Sequence, residues 1–172
     1  AMKDRFKKIK YYIGPMSKNI VDSVIEFCES ADTEIGLIPS RRQVEYDGGY
    51  VNNWTTEDFV KYVRSKSNKV VTQRDHGGRK QGASPSAFRD KKSFIVDSVS
   101  GFDLIHIDPW KEFTSLDEIV QETANNILMC NEVNPSCFYE VGTEEAIHKY
   151  TSEELDYFLS ALFNKLQNLS EK

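Results

Sequence analysis

The sequence lacks the features that secreted, disulfide-linked and membrane-spanning proteins need. Its three cysteines, Cys28, Cys130 and Cys137, are an odd and widely spaced set that fits neither a disulfide framework nor a zinc knuckle. No apolar run approaches the roughly 20 residues that cross a bilayer, and the first residues lack the apolar centre of a signal peptide. We therefore expect a cytoplasmic protein with reduced cysteines and no membrane partner.

An excess of basic residues is also missing. The chain carries 27 acidic and 22 basic residues, for a net charge of −5. Because a dedicated nucleic-acid-binding protein usually has a strongly basic face, we expect no nucleic-acid partner. With 172 residues, of which 39% are hydrophobic, the chain is long and apolar enough for one folded domain spanning 1–172.

Hydrophobic periodicity and turn residues predict short strands that alternate with longer helices. Five strands are expected at 11–13, 34–38, 69–73, 103–108 and 136–141. Helices are expected over 19–28, from a cap at Thr55 or Thr56 through Val63, and over 86–100, 116–131 and 151–169. Helical crossovers between successive strands indicate parallel βα units.

Two architectures consist of such units, and different features favour each. A flavodoxin-like open sheet of five strands, which would make the protein an α/β binding module, is complete at this length. A (β/α)8 TIM barrel needs about 250 residues. The second to fifth strands, however, all end in polar or ionisable residues. This spread favours strand ends that converge on one centre over a site at a single switch point.

The dipeptide Asp75-His76, followed by Gly77-Gly78, is the most distinctive local feature. A carboxylate beside an imidazole can provide a proton-transfer group and a metal ligand on one turn. The alternative is an aspartate that caps the next turn and a histidine that packs at the sheet rim. Glu140 lies within the apolar run 138–141. A carboxylate that points into the interior is costly unless it is paired or metal-bound. The alternative is that Glu140 faces solvent from an alternating strand.

His106 and Asp108 lie two residues apart on the fourth strand, so their side chains share a face. If that face is the interior, both approach the site, and if it is the outer face, His106 packs under a helix. Asp108 is the stronger candidate because it ends the strand. Further polar residues that follow strands are candidates for substrate binding, namely Arg41, Gln43, Arg74 and Glu144.

Six blocks of sequence resemble the accessory, non-catalytic subunit of class II tagatose-bisphosphate aldolase. They occur in that family's order and spacing, at 33–44, 47–50, 56–59, 75–78, 105–108 and 139–144. The family is similar in turn to the zinc-dependent class II ketose-bisphosphate aldolases, which are (β/α)8 barrels. The resemblance implies an α/β fold of the TIM-barrel type, here a partial barrel of about five βα units.

The same resemblance implies roles for individual residues. Asp75 would donate a proton to the substrate carbonyl and His76 would bind Zn²⁺, with Glu140 near the metal as a second ligand and catalytic carboxylate. The zinc ion would polarise the carbonyl of a ketose bisphosphate. The chain would then act on a sugar phosphate as an aldolase, or assist a catalytic class II aldolase as its accessory subunit.

Two departures from the family pattern lead to further expectations. The remaining zinc-binding histidines and phosphate-binding loops of these aldolases lie on strands six to eight, whereas only five strands are expected here. The loop 79–82 also differs from the Gly-Pro that follows the Asp-His pair in the family. A ring of five strands leaves two parallel edges without neighbours. Unless the chain is part of a longer protein, we therefore expect it to associate with a second copy, as a homodimer.

Overall fold

A computed structural model of the chain describes residues 2–143 and 148–169. Within them, helices and strands alternate along the sequence. The elements are α1 Met2–Phe6, β1 Tyr12–Ile13, α2 Lys18–Ser30, β2 Ile35–Leu37, α3 Thr56–Lys66, β3 Val70–Gly77, α4 Ala87–Ser100, β4 Leu104–Ile107, α5 Leu116–Val133, β5 Phe138–Glu140, α6 Ser152–Lys165 and a 3₁₀ turn, Gln167–Leu169.

The five strands form one parallel sheet in the order β1-β2-β3-β4-β5, so every strand pairs with its neighbours in sequence. A flavodoxin-like sheet requires a point where the strand order reverses. The flavodoxin-like alternative is therefore wrong. The prediction of a partial TIM-barrel-like α/β fold of five βα units is confirmed.

The sheet curls, so that residues on distant strands meet on one side of it. Gln73 of β3 donates a hydrogen bond to Glu140 of β5, and the Phe6 ring packs edge-on against Phe138 at 5.0 Å between centroids. Burial and the nearby Glu140 carboxylate raise the pKa of Tyr12 on β1. We call this side, which carries Gln73, His106 and Glu140, the concave face.

The helices cover the opposite, convex face and form the main core with it. Amphipathic helices bury their apolar stripes against the sheet, and four of them begin at a Ser or Thr side chain that caps a backbone N–H. The core contains Leu37, Val70, Ile105 and Ile107 from strands with Val24, Phe59, Phe94, Ile119, Ile127 and Phe158 from helices.

Element boundaries differ from the prediction by up to four residues, and one helix was not predicted. Helix α1 was not expected because five residues are too few for a periodic pattern, and it lies at the amino edge of the sheet, where Arg5 Nε is 2.5 Å from Glu34 Oε1. Strand β3 continues to Gly77, four residues past its predicted end, and α6 ends at Lys165. Among the described residues, no helix has the length and apolar character needed to cross a membrane.

Candidate functional site

The carboxyl end of β3 contains a β-bulge. Arg74 pairs with Ile105 and Gly77 with Ile107, so β3 uses one more residue than β4 over this stretch. Within the bulge His76 has a φ of +42°, in the left-handed region. A residue with a Cβ adopts this backbone conformation only at a cost in free energy. Such backbone strain is concentrated at functional sites, where surrounding contacts hold it in place.

The bulge brings three potential metal ligands together. One ligand atom from each of Asp75, His76 and His106 lies within 4.8 Å of the other two, and we call these residues the rim cluster. The two imidazole centroids are 4.8 Å apart, and His76 Nε2 lies 3.8 Å from Asp75 Oδ1. His106 therefore faces the concave side, which decides between the two orientations left open by the sequence.

Asp108 orients the His76 ring. Its Oδ2 atom lies 2.5 Å from His76 Nδ1 and accepts a hydrogen bond from Gln81 Nε2 at 2.8 Å, while Oδ1 accepts from the backbone N–H of Trp110. Asp108 is only 1% exposed. Because carboxylate oxygens accept hydrogen bonds, Nδ1 is the donor, and Nε2 is the nitrogen that faces Asp75. This carboxylate–histidine pairing is the usual support of a metal-binding imidazole.

The electrostatic environment suits His106 to the same role. Burial lowers the pKa of His106 below its ordinary value, against the opposing effect of the Glu140 and Asp108 carboxylates. The imidazole is therefore neutral near pH 7, which is the form that binds a metal ion. Two imidazoles and one carboxylate form a donor set typical of catalytic zinc, which takes three protein ligands and leaves a position for substrate or water. The donor set of the rim cluster is compatible with such an ion.

The other predicted site residues on or near the concave face lie outside the rim cluster. Glu140 is the register partner of His106 but is exposed, and its carboxylate accepts the hydrogen bond from Gln73. Gln43 is buried after β2, where its Oε1 accepts from the backbone N–H of Ser40 at 2.7 Å. Glu144 lies outside the described residues.

The two predicted arginines are buried away from the concave face. Arg74 is 0% exposed and forms two 2.7 Å hydrogen bonds to Asp97 on α4. Arg41 is 2% exposed and contacts Glu45 and Asp90 at 2.5 Å each. Sequence reasoning missed Gln81, which supports Asp108 from a polar loop whose composition does not distinguish it from its neighbours.

Comparison with known proteins finds relatives by structure only. No family model matches the sequence, and no curated protein matches it. A structure of a probable tagatose 6 phosphate kinase from Sinorhizobium meliloti 1021 superimposes with a TM-score of 0.74 at 15% identity, over 92% of this chain and 44% of that one. The YdjI aldolase from Escherichia coli K12 superimposes with a TM-score of 0.58 at 14% identity, over 94% of this chain and 54% of that one.

The chain shares the fold of these two structures. At these identities the likeness concerns the fold alone, and the chain spans about half the length of each of these two proteins. The resemblance of the sequence blocks to the accessory subunit of tagatose-bisphosphate aldolase is finer than this result and stays a prediction.

Proposed function

We propose that this chain carries the metal-binding part of a zinc-dependent, aldolase-like site that acts in carbohydrate metabolism. One observation carries the proposal: residues from two neighbouring strands place two imidazoles and a carboxylate within 4.8 Å at the carboxyl edge of the sheet. In TIM-barrel proteins this edge holds the active site. The aldolase-like fold supports the same reaction class, the cleavage or formation of a carbon–carbon bond beside a carbonyl.

The proposed roles follow from the chemistry of each side chain. His76 and His106 would hold the ion, which supplies Lewis-acid polarisation of the substrate carbonyl. Asp75 has two carboxylate oxygens, so it can contact the ion through one and exchange a proton with the substrate through the other. Asp108 holds His76 in the tautomer that presents Nε2. Glu140 is the proposed second carboxylate of the site, because it faces the same side as its register partner His106.

The proposed substrate is a phosphorylated ketose. Its support is the resemblance of the sequence blocks to a tagatose-bisphosphate aldolase subunit. The two structural relatives are described as a probable tagatose 6 phosphate kinase and as an aldolase. Gln43 is a proposed substrate contact, because it lies at the carboxyl edge of the sheet beside Met16.

A second copy of the chain is the proposed partner. An apolar cavity of about 180 Å³ lies between β5 and α6, and Leu159 and Phe163 of α6 border it with exposed side chains. Association would remove this apolar surface from water. Light scattering of the purified chain at micromolar concentration tests this proposal, and a monomer would contradict it.

The catalytic role is tested by cleavage of ketose bisphosphates with and without added zinc. We expect zinc-dependent release of triose phosphate and its loss in His76→Ala. His148→Ala is the matched control, since His148 is exposed and lies outside the rim cluster. Stoichiometric zinc binding without cleavage would instead favour the accessory role, which predicts that the chain stabilises a catalytic class II aldolase. Absence of zinc binding would overturn the proposal.

A further inference from the structure

A buried arginine contacts the backbone of the loop that follows the rim cluster. Arg41 Nη1 donates a 2.7 Å hydrogen bond to the carbonyl oxygen of Gly78, two residues after His76. Arg41 belongs to the segment after β2, so this contact joins the loops that follow two neighbouring strands. Its guanidinium also lies beneath Gly82, where an added Cβ would come within 3.0 Å of Nη2.

The Arg41 side chain is rigidly held at this position. Its Nε atom contacts Glu45 Oε2 at 2.5 Å and its Nη1 atom contacts Asp90 Oδ1 at 2.5 Å. Glu45 is fixed in turn by the hydroxyl of Ser93, 2.8 Å from its other oxygen. A buried arginine is costly unless its charge and donors are matched. Here two carboxylates neutralise it and fix the orientation of the guanidinium fork.

The strained backbone around His76 depends on a small number of anchors. The bulge is held at Asp75, whose N–H donates to the Pro39 carbonyl at 3.1 Å, and at Gly77, whose carbonyl accepts from the Asp108 N–H at 2.9 Å. Beyond Gly77, the Arg41 guanidinium holds Gly78, which itself has a φ of +113°. At a non-glycine residue such as His76, a left-handed conformation persists only where such contacts over-determine it.

We propose that Arg41 is a positioning residue for His76: it holds the Gly78 carbonyl and thereby keeps the His76 imidazole on Asp108 and in the rim cluster. Arg41 contacts neither a ligand atom of the cluster nor a proposed substrate position. It was predicted from the sequence to bind substrate, and this proposal gives it a different role. As far as zinc is concerned, the inference rests on the proposed metal site, but the orientation of His76 can be measured without any metal.

The first experiment uses NMR of the metal-free chain. The proton on His76 Nδ1, which is hydrogen-bonded to Asp108, should give a downfield resonance and exchange slowly with water. In Arg41→Gln we expect this proton to exchange at least tenfold faster, because the ring is no longer held on Asp108. Arg64→Gln is the matched control, since Arg64 holds the Val70 carbonyl and Asp103 at the opposite end of β3. The control should leave the resonance unchanged.

A second measurement compares zinc affinity by competition with a chelating dye. We expect Arg41→Lys to bind zinc about tenfold more weakly than the unchanged chain, as is usual when support of a metal-binding histidine is lost, and Arg64→Gln to bind it equally well. Arg41→Lys keeps a cation beside Glu45 and Asp90, so it provides the test if Arg41→Gln fails to fold.

The outcomes separate this inference from the proposed function. Unchanged His76 proton exchange in a folded Arg41 variant would overturn the role of Arg41, whatever zinc does. An equal increase in His76 proton exchange, or an equal loss of zinc affinity, in the Arg41 and Arg64 variants would also overturn it, because the effect would then be general destabilisation. If the unchanged chain binds no zinc, the proposed metal site fails, while the exchange measurement still decides the role of Arg41.

Discussion

The two faces of β3 use similar residues for different purposes. On the convex face, Arg74 is fully buried, with its charge matched by Asp97 and two of its donors occupied by the Pro39 and Val44 carbonyls. On the concave face, the next residues along the strand, Asp75 and His76, are about two-fifths exposed and converge with His106 on one point.

This difference shows that the direction of a side chain, more than its type, decides its role. A charged group on the helix-covered face must be neutralised internally, because burial removes its hydration. The concave face is partly open, so its ionisable groups can interact with a ligand instead. The bulge breaks the alternation of side chains along β3 between Arg74 and Gly77, and the left-handed backbone at His76 accompanies it.

The largest expected effect comes from breaking the convex ion pair. Asp97→Asn leaves Arg74 buried without its carboxylate, which should reduce the free energy of unfolding by about 3–5 kcal/mol. Urea denaturation followed by circular dichroism measures this loss. Glu57→Gln is the control, since its pair with Lys61 is largely exposed and should contribute little to stability. Similar losses in both variants would remove the distinction between buried and exposed pairs.

A smaller effect is expected on the concave face, and on zinc binding rather than stability. Asp108→Asn keeps the size of the side chain but weakens its hold on His76, which should reduce zinc affinity by about 10- to 100-fold. Isothermal titration calorimetry measures the affinity. Asp103→Asn alters a carboxylate at the other end of β4 and should leave zinc affinity unchanged. An equal reduction in Asp103→Asn would contradict a specific role for Asp108.

The smallest effect concerns backbone strain at His76. His76→Gly and His76→Ala both remove the imidazole, but only glycine adopts a φ of +42° without cost. We therefore expect the glycine variant to have a free energy of unfolding about 1 kcal/mol higher than the alanine variant. Thermal and urea unfolding of the two proteins provide the comparison. Equal stability would mean that the bulge relaxes when the histidine is lost.

The sequence predicted the order of strands and helices because these are encoded locally. A cap at Thr55 or Thr56 was expected before the amphipathic helix α3, and Thr55 caps it. The proximity of Asp75 to His76 was also visible, since they are adjacent in the chain. Helix α1 was not, because its position depends on contacts with distant residues.

The rest of the site depends on tertiary structure that no local pattern reports. The Ile105-His106-Ile107 alternation fits either orientation of the histidine, and only the neighbouring strands determine which face is covered. Arg41 and Arg74 follow predicted strands just as Asp75 does, but their partners Asp90 and Asp97 lie 49 and 23 residues away in sequence. Ion pairs across such distances could not be assigned from the chain alone.

The central claim, that Asp75, His76 and His106 together bind a divalent metal, is tested most directly by X-ray absorption of the zinc-loaded chain. We predict one zinc ion per chain with two imidazole nitrogens in its coordination shell, and one imidazole after His106→Gln. A substoichiometric zinc content, or a spectrum that His106→Gln leaves unchanged, would contradict the claim.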